Sequence, residues 1–386
     1  MQPVTLSISL DRPAAVYLAG DTVTGRVDVH VDEPTEIRGV SVTFRGEAYL
    51  EWSESKSDGG SDDYTAHELY FSTKVYLVGG ESGEVTLTPG DHTYGVQFVL
   101  PAPLPNSYEG RYGFIRYRAT ARVHRSWRKS ALAAEAAFSV SCPLDLNMFP
   151  DAAKMAIDKE SSKHFGFLWW KSGPLRMRVR VPRAGYVSGQ TIPLEIHVDN
   201  ASNLEVHNVR GTLNQVITWH ATSKSRRTQE RAVDLVFASA VEQGGAKVFK
   251  QTIDVPPLPP SHLDYCKIID LEYIVTVTAR VRGAHRDLMI EAPLLIGTSP
   301  LMDTVEYPPA YLYPSPGGPG APQGKAGEAY PDLPPPSYEE SFFKVNRIMN
   351  TKDNESTMDI LSFTPRYPVW NLWSLPHPAD QDQKKS

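Results

Sequence analysis

The sequence predicts an all-β chain, two tandem β-sandwich domains followed by a disordered, proline-rich tail. Three observations carry that reading. Apolar and polar residues alternate with period two through most of the chain up to Leu301, a set of turn-flanked segments recurs in the second half, and proline density rises abruptly afterwards.

The alternation comes first. Val4, Leu6, Ile8 and Leu10 interleave with Thr5, Ser7 and Ser9, and Val23, Val27, Val29 and Val31 with Thr24, Arg26, Asp28 and His30. Ile115, Tyr117, Ala119, Ala121 and Val123 point one way, and Arg116, Arg118, Thr120, Arg122 and His124 the other. Such alternation predicts antiparallel strands with one face in a core and one in water. Ala19-Gly20-Asp21 and Thr88-Pro89-Gly90-Asp91 supply turns between strands, and no βαβ rhythm interrupts them.

The repeat is the second element. Val16 through Val23 returns as Gly185 through Ile192, offset by 169 residues, and Leu104-Pro105-Asn106-Ser107 returns as Leu258-Pro259-Pro260-Ser261, offset by 154. Ile115-Arg116-Tyr117 through Val123 matches Leu271-Glu272-Tyr273 through Val281, offset by 156 to 158. Three ordered matches imply one sandwich used twice. The expected divisions are residues 1–147, a hinge over 148–172, residues 173–301 and a tail over 302–386. Ala152, Ala153, Met155 and Ala156 suit a helical turn within the hinge. Its aromatic end, Phe165-Gly166-Phe167-Leu168-Trp169-Trp170, is read as packing between domains in preference to a membrane wedge.

Composition excludes several function classes. At 386 residues the chain suits two domains, and a net charge of −6 lacks the basic surplus of a general nucleic-acid binder. No run of about 18 apolar residues is present, and Met1 to Leu10 alternates where a signal peptide would carry an apolar block. Two cysteines, Cys142 and Cys266, fall one in each expected domain, which favours reduced, buried thiols in the cytosol over a disulfide framework. The chain carries no Gly-x-Ser-x-Gly elbow, phosphate loop, Cys-x-x-Cys or His-Glu-x-x-His, so neither an enzyme, a cofactor nor a metal is expected.

The chemistry lies in the tail. From Val305 to Glu340 there are ten prolines, five tyrosines and five glycines, a composition no sheet can use because proline lacks a donor. Pro308-Pro309-Ala310-Tyr311 and Pro335-Pro336-Ser337-Tyr338 both fit Pro-Pro-x-Tyr, against roughly 0.4 matches expected on shuffling the segment. A preformed polyproline II turn lays its rings between the aromatic ridges of a WW domain, and the tyrosine fills an adjoining pocket. Pro308, Pro309, Tyr311, Pro335, Pro336 and Tyr338 are therefore the candidate WW-binding residues. Tyr338, after three consecutive prolines, is expected to be the stronger anchor of a bivalent clamp. Ser341 to Ser386 reads as an unfolded tail with an aromatic island at Phe363 to Trp370. Basic residues gather at Arg116, Arg118, Arg122, Arg125, Arg128 and Lys129, and at Arg176, Arg178, Arg180 and Arg183. Arg116, Arg118 and Arg122 are the candidates for contact with anionic lipid or acidic cargo, set against a plainer reading as a solvated sheet face.

With repeat and tail in view the chain resembles the α-arrestins, the arrestin domain-containing proteins. The resemblance rests on Tyr17 through Gly25, Phe44-Arg45-Gly46, Leu100-Pro101, Leu104 through Gly110, Tyr112-Gly113 and Leu144-Asp145-Leu146-Asn147. In the second half it rests on Pro182 through Gly189, Val198 through Ser202, and Pro293 through Thr298. It implies that both sandwiches are arrestin-like and that the tail motifs recruit HECT-type ubiquitin ligases to membrane-protein cargo. It further implies a cytoplasmic protein recruited to the plasma membrane and endosomes, promoting cargo ubiquitination, endocytosis and sorting. A redox cysteine used by one member of that family has no counterpart, since Pro143 to Tyr265 contains no cysteine. An arrestin-fold trafficking scaffold and a signalling arrestin working without a ligase are the competing readings.

Overall fold

The period-two segments become strands in the computed structural model, which describes residues 4–125, 132–165, 173–237, 240–283, 285–302, 336–343 and 363–370. The first half holds β1 (Val4–Leu10), β2 (Val16–Leu18), β3 (Thr22–Val31), β4 (Thr35–Ser55), β5 (Ser61–Gly79), β6 (Val85–Leu87), β7 (Gly90–Val99), β8 (Tyr108–Glu109), β9 (Gly113–Arg125) and β10 (Leu132–Ser141). They form one sheet ordered β1-β3-β7 and another ordered β2-β10-β9-β4-β5, with β6 on β4 and β8 on β9. Val23, Val27, Val29 and Val31 of β3 meet Val40, Val42 and Phe44 of β4 in one core, and Phe44 stacks on Phe98 of β7 at 4.9 Å.

A 3-10 turn at Leu146–Met148 and the short helix α1 (Pro150–Lys154) lead into the second sandwich. Its strands are β11 (Ile157–His164), β12 (Pro174–Val181), β13 (Gly185–Val187), β14 (Thr191–Asn200), β15 (Val206–His220), β16 (Ser225–Phe237), β17 (Gly245–Asp254), β18 (Ile269–Val281) and β19 (Leu288–Gly297). The sheets run β11-β12-β14-β17 and β13-β19-β18-β15-β16. One expectation is corrected here. Ile157 to His164, assigned to the hinge, pairs with β12 along its whole length. It carries almost no apolar alternation because it is an edge strand whose exposed residues include Asp158, Lys159 and Glu160, the usual guard against edge-to-edge pairing. The aromatic run beyond Phe165 lies outside the described residues. Phe165 itself is buried, edge-on to the His285 ring.

The repeat holds at the level of single hydrogen bonds. Tyr117 donates its phenol to the Pro105 carbonyl at 2.7 Å, and Tyr273 donates to Pro259 at 2.8 Å. Ser107 closes a two-bond ring with Val140, and Ser261 does the same with Ile296. In both halves a short strand runs parallel to the last strand, β2 to β10 and β13 to β19.

The halves share one continuous apolar cluster. Trp219 of the second sandwich, fully buried, lies 6.0 Å from Tyr108 and 5.9 Å from Tyr112 of the first. Leu144-Asp145-Leu146-Asn147 stitches the connection. Leu144 exchanges bonds with Thr298, and Asn147 donates to the Pro300 carbonyl and accepts from the Met302 amide.

The tail also departs from expectation at two short stretches. Ser337–Glu340 is β20 and Arg366–Val369 is β21. They pair antiparallel, with Ser337 opposite Val369, Tyr338 opposite Pro368, Glu339 opposite Tyr367 and Glu340 opposite Arg366. An extended, proline-containing segment suits an edge ribbon of this kind once aromatic anchors hold it to a surface.

Candidate functional site in the tail and the seam between the sandwiches

The seam that receives the tail is built mainly by the two repeated loops and the connection. Trp370 sits on Leu146, Ala153, Val187 and Leu301, contributed by the 3-10 turn, α1, β13 and the end of the second sandwich. Its indole N–H donates to the Thr298 carbonyl at 2.7 Å and its backbone N–H to Ser188 at 2.9 Å. Tyr367 is buried and donates its phenol to the Ser107 carbonyl at 3.0 Å. The Arg366 amide donates to Ser139 Oγ at 3.0 Å. Ser107 and Ser139 belong to the first sandwich, Ser188 and Thr298 to the second, so the segment spans both. Burial pushes the Tyr367 phenol well above its ordinary value, with Tyr273 and Glu109 adding to the effect, which keeps it a neutral donor.

Gly189 shows how closely the segment lies. It takes φ +91°, as its repeat counterpart Gly20 takes +88°. A Cβ on Gly20 would meet nothing within 4 Å, whereas one on Gly189 would stand 2.2 Å from the Trp370 carbonyl oxygen. Glycine at Gly20 answers a turn; at Gly189 it also answers the approach of the tail.

The second motif rides on this clasp. Pro336 and Tyr338 are half-buried while Ser337, Glu339 and Glu340 are exposed. The Tyr338 phenol is raised by burial, with Asp21 adding and Arg12 opposing. The Ser341 amide donates to the Pro365 carbonyl at 2.8 Å, and the Phe342 amide to Pro257 at 2.9 Å. Pro308, Pro309, Tyr311 and Pro335 lie outside the described residues.

The arginine strip is corrected. Arg116 is 3% exposed and forms a bidentate pair with Glu109 at 2.7 Å for both bonds, its guanidinium 3.8 Å from the Phe114 ring centroid. Arg118 is buried between Glu47 at 3.0 Å and Glu135 at 3.4 Å, and Glu47 also accepts from Arg45 and contacts His67. Neither is available to a membrane surface. Period two reported correctly that these residues oppose the core, but β9 is central and its second face is covered too. The carboxylates that neutralise the arginines arrive from β4, β8 and β10. Arg122, half-buried opposite Ser41, is the member of the strip that keeps part of its side chain in solvent.

Arg178 and Arg180 project from the outward face of β12, while Leu175, Met177, Val179 and Val181 fill the core. Arg178 binds Asp158 through two bonds at 2.6 and 2.5 Å, and Arg180 reaches Asp158 and Glu195. The Asp158 carboxyl is held down to about 2, chiefly by the Arg178 hydrogen bonds. Arg128 and Lys129 lie outside the described residues. Cys142 and Cys266 are both free, and burial pushes the Cys142 thiol up to about 11, which favours the unreactive protonated form. Among the described residues no group of His, Cys, Asp or Glu is placed to hold a metal ion, and no helix is long and apolar enough to cross a membrane.

Comparison with known proteins adds to this geometry. The family model described as "Arrestin (or S-antigen), N-terminal domain" matches residues 6–147, and that described as "Arrestin (or S-antigen), C-terminal domain" matches residues 171–301. Arrestin domain-containing protein 4 of Mus musculus is 30% identical over 299 residues, covering 75% of this chain and 70% of that protein. Arrestin domain-containing protein 1 of Homo sapiens is 26% identical over 387 residues, covering 97% of this chain and 82% of that protein.

Proposed function

This chain belongs to the arrestin domain-containing family, whose members are non-enzymatic adaptors and scaffolds, and we propose that it links membrane-protein cargo to WW-domain HECT-type ubiquitin ligases. The observation that carries the reading is the pair of Pro-Pro-x-Tyr motifs ending at Tyr311 and Tyr338, on a tail attached to an arrestin body. The tyrosines are 27 residues apart, which for a flexible chain gives a root-mean-square separation of roughly 30 Å. That span reaches two WW domains of one ligase, so the second contact is intramolecular and strengthens binding by about 10². The adaptor works in the cytoplasm, and its visits to the plasma membrane and endosomes follow its cargo's cytoplasmic segments. Arg116 and Arg118, sealed by carboxylates, do not serve as an anionic contact; of the strip, Arg122 is left for that role. The consequence is ubiquitination, endocytosis and sorting of the cargo.

The test is titration of a tandem pair of WW domains with the full chain. Wild type should bind, and Tyr311→Ala with Tyr338→Ala together should lose at least 100-fold in affinity. Undiminished binding by the double variant would overturn the ligase reading and favour a trafficking scaffold or signalling arrestin.

A further inference from the structure

The aromatic island at 363–370 contains no Pro-Pro-x-Tyr motif, yet it is bound to the body by buried contacts. Tyr367 and Trp370 are buried in a seam that both sandwiches build, and four hydrogen bonds fix the segment there. Its strand β21 holds β20, and β20 contains Ser337 and Tyr338 of the second motif. A WW groove accepts a polyproline II backbone with its proline rings and tyrosine free to enter pockets. In the docked tail the backbone at Tyr338 is paired as a strand, and the rings of Pro336 and Tyr338 are half-covered. The two states exclude each other.

We propose that residues 363–370 are a clasp that keeps the Tyr338 motif closed to WW domains until Tyr367 and Trp370 leave the seam. The proposal rests on the WW reading of Tyr338 given above. It reverses the ranking expected from sequence: Tyr338 is the stronger ligand as a free peptide but the conditional one in the intact chain. Because the clasp is bonded to Ser107 and Ser139 on one sandwich and to Ser188 and Thr298 on the other, a partner that shifts the two against each other lifts it. Ligase recruitment is thereby tied to occupancy of the body. Apparent affinity scales with the open fraction, so a clasp open one-tenth of the time or less weakens binding tenfold or more.

The experiment isolates one motif. A single WW domain is titrated against the full chain carrying Tyr311→Ala, the same chain with Trp370→Ala added, and a synthetic peptide spanning residues 332–343. The peptide and the Trp370→Ala chain should bind alike, and the clasped chain at least tenfold more weakly. Equal binding by all three would overturn the clasp while leaving the WW reading intact. A peptide that fails to bind would remove the WW reading and the clasp with it. A measurement on the Tyr311→Ala chain guards against misfolding of the Trp370→Ala variant. Saturating WW domain should speed hydrogen exchange at the Trp370 and Ser341 amides at least tenfold, and unchanged exchange would also overturn the clasp.

Discussion

Replacing Arg116 by methionine leaves the Glu109 carboxylate inside the protein with its bidentate partner gone. Arg116 and Glu109 are 3% and 7% exposed, so water cannot take the guanidinium's place. Breaking such a pair from one side costs about 3–5 kcal/mol, a large share of a stability of about 5–15 kcal/mol. At about 2–4 °C per kcal/mol for a domain of this size, the melting temperature should fall by about 6–20 °C. Burial already pushes the Glu109 carboxyl up from its ordinary value, with Arg116 opposing. Without Arg116 its folded value rises further above the unfolded one, so the variant should regain stability relative to wild type as pH falls from 7 towards 5. Removing both charges, as Arg116→Met with Glu109→Leu, should bring stability back to within about 1 kcal/mol of wild type, because neither charge is then stranded. Urea denaturation followed by tryptophan fluorescence at pH 7 and pH 5 reads all three. A single variant within about 0.5 kcal/mol of wild type, or a double variant worse than the single, would refute the buried-pair account and return Arg116 to the surface.

Two further outcomes follow from other contacts. Gly20→Ala should cost about 1–2 kcal/mol of backbone strain and leave tail exchange unchanged, whereas Gly189→Ala should in addition displace Trp370 and accelerate exchange at its amide; identical behaviour of the two would deny the close approach. Burial raises the Glu47 carboxyl, but Arg118, His67 and Arg45 together bring it below its ordinary value. Its stabilising contribution is therefore present above the unfolded value of about 4.3 and lost as pH falls through the folded value. Wild type should lose stability more steeply than Glu47→Gln below about pH 5, and parallel curves of unfolding midpoint against pH would contradict the network.

What could be read from sequence was whatever is written locally. The alternation at Val4 to Leu10 and Thr22 to Val31 gave strands because each residue's face is set by its parity. The recurrence of Leu104-Pro105 with Tyr117 as Leu258-Pro259 with Tyr273 marked the repeat, because the same tyrosine-to-carbonyl bond is needed twice. What escaped depended on partners distant along the chain. Glu47 lies 71 residues from Arg118, so no window shows that the arginine is neutralised. β11 was missed because an edge strand needs few apolar residues. The seat of Trp370 escaped because Leu146, Ala153, Val187 and Leu301 converge only in space. A signal was present even so: Tyr367, Val369 and Trp370 are a dense apolar island in an otherwise polar tail, and such an island has little reason to exist unless it is buried.

The seam occupied by Trp370 also sets an order of events during synthesis. Sixty-nine residues separate Leu301 from Trp370, and at about 5–20 residues per second a ribosome needs about 3–14 s to deliver them. Sandwich folds close in milliseconds to seconds. Both sandwiches are therefore formed while the seat on Leu146, Ala153, Val187 and Leu301 is still bare. In that interval the apolar seat is open to any extended aromatic peptide nearby. The stretch that shields it is made only after the body it protects, so every newly made copy passes through an interval with an open seam before residues 366–370 arrive.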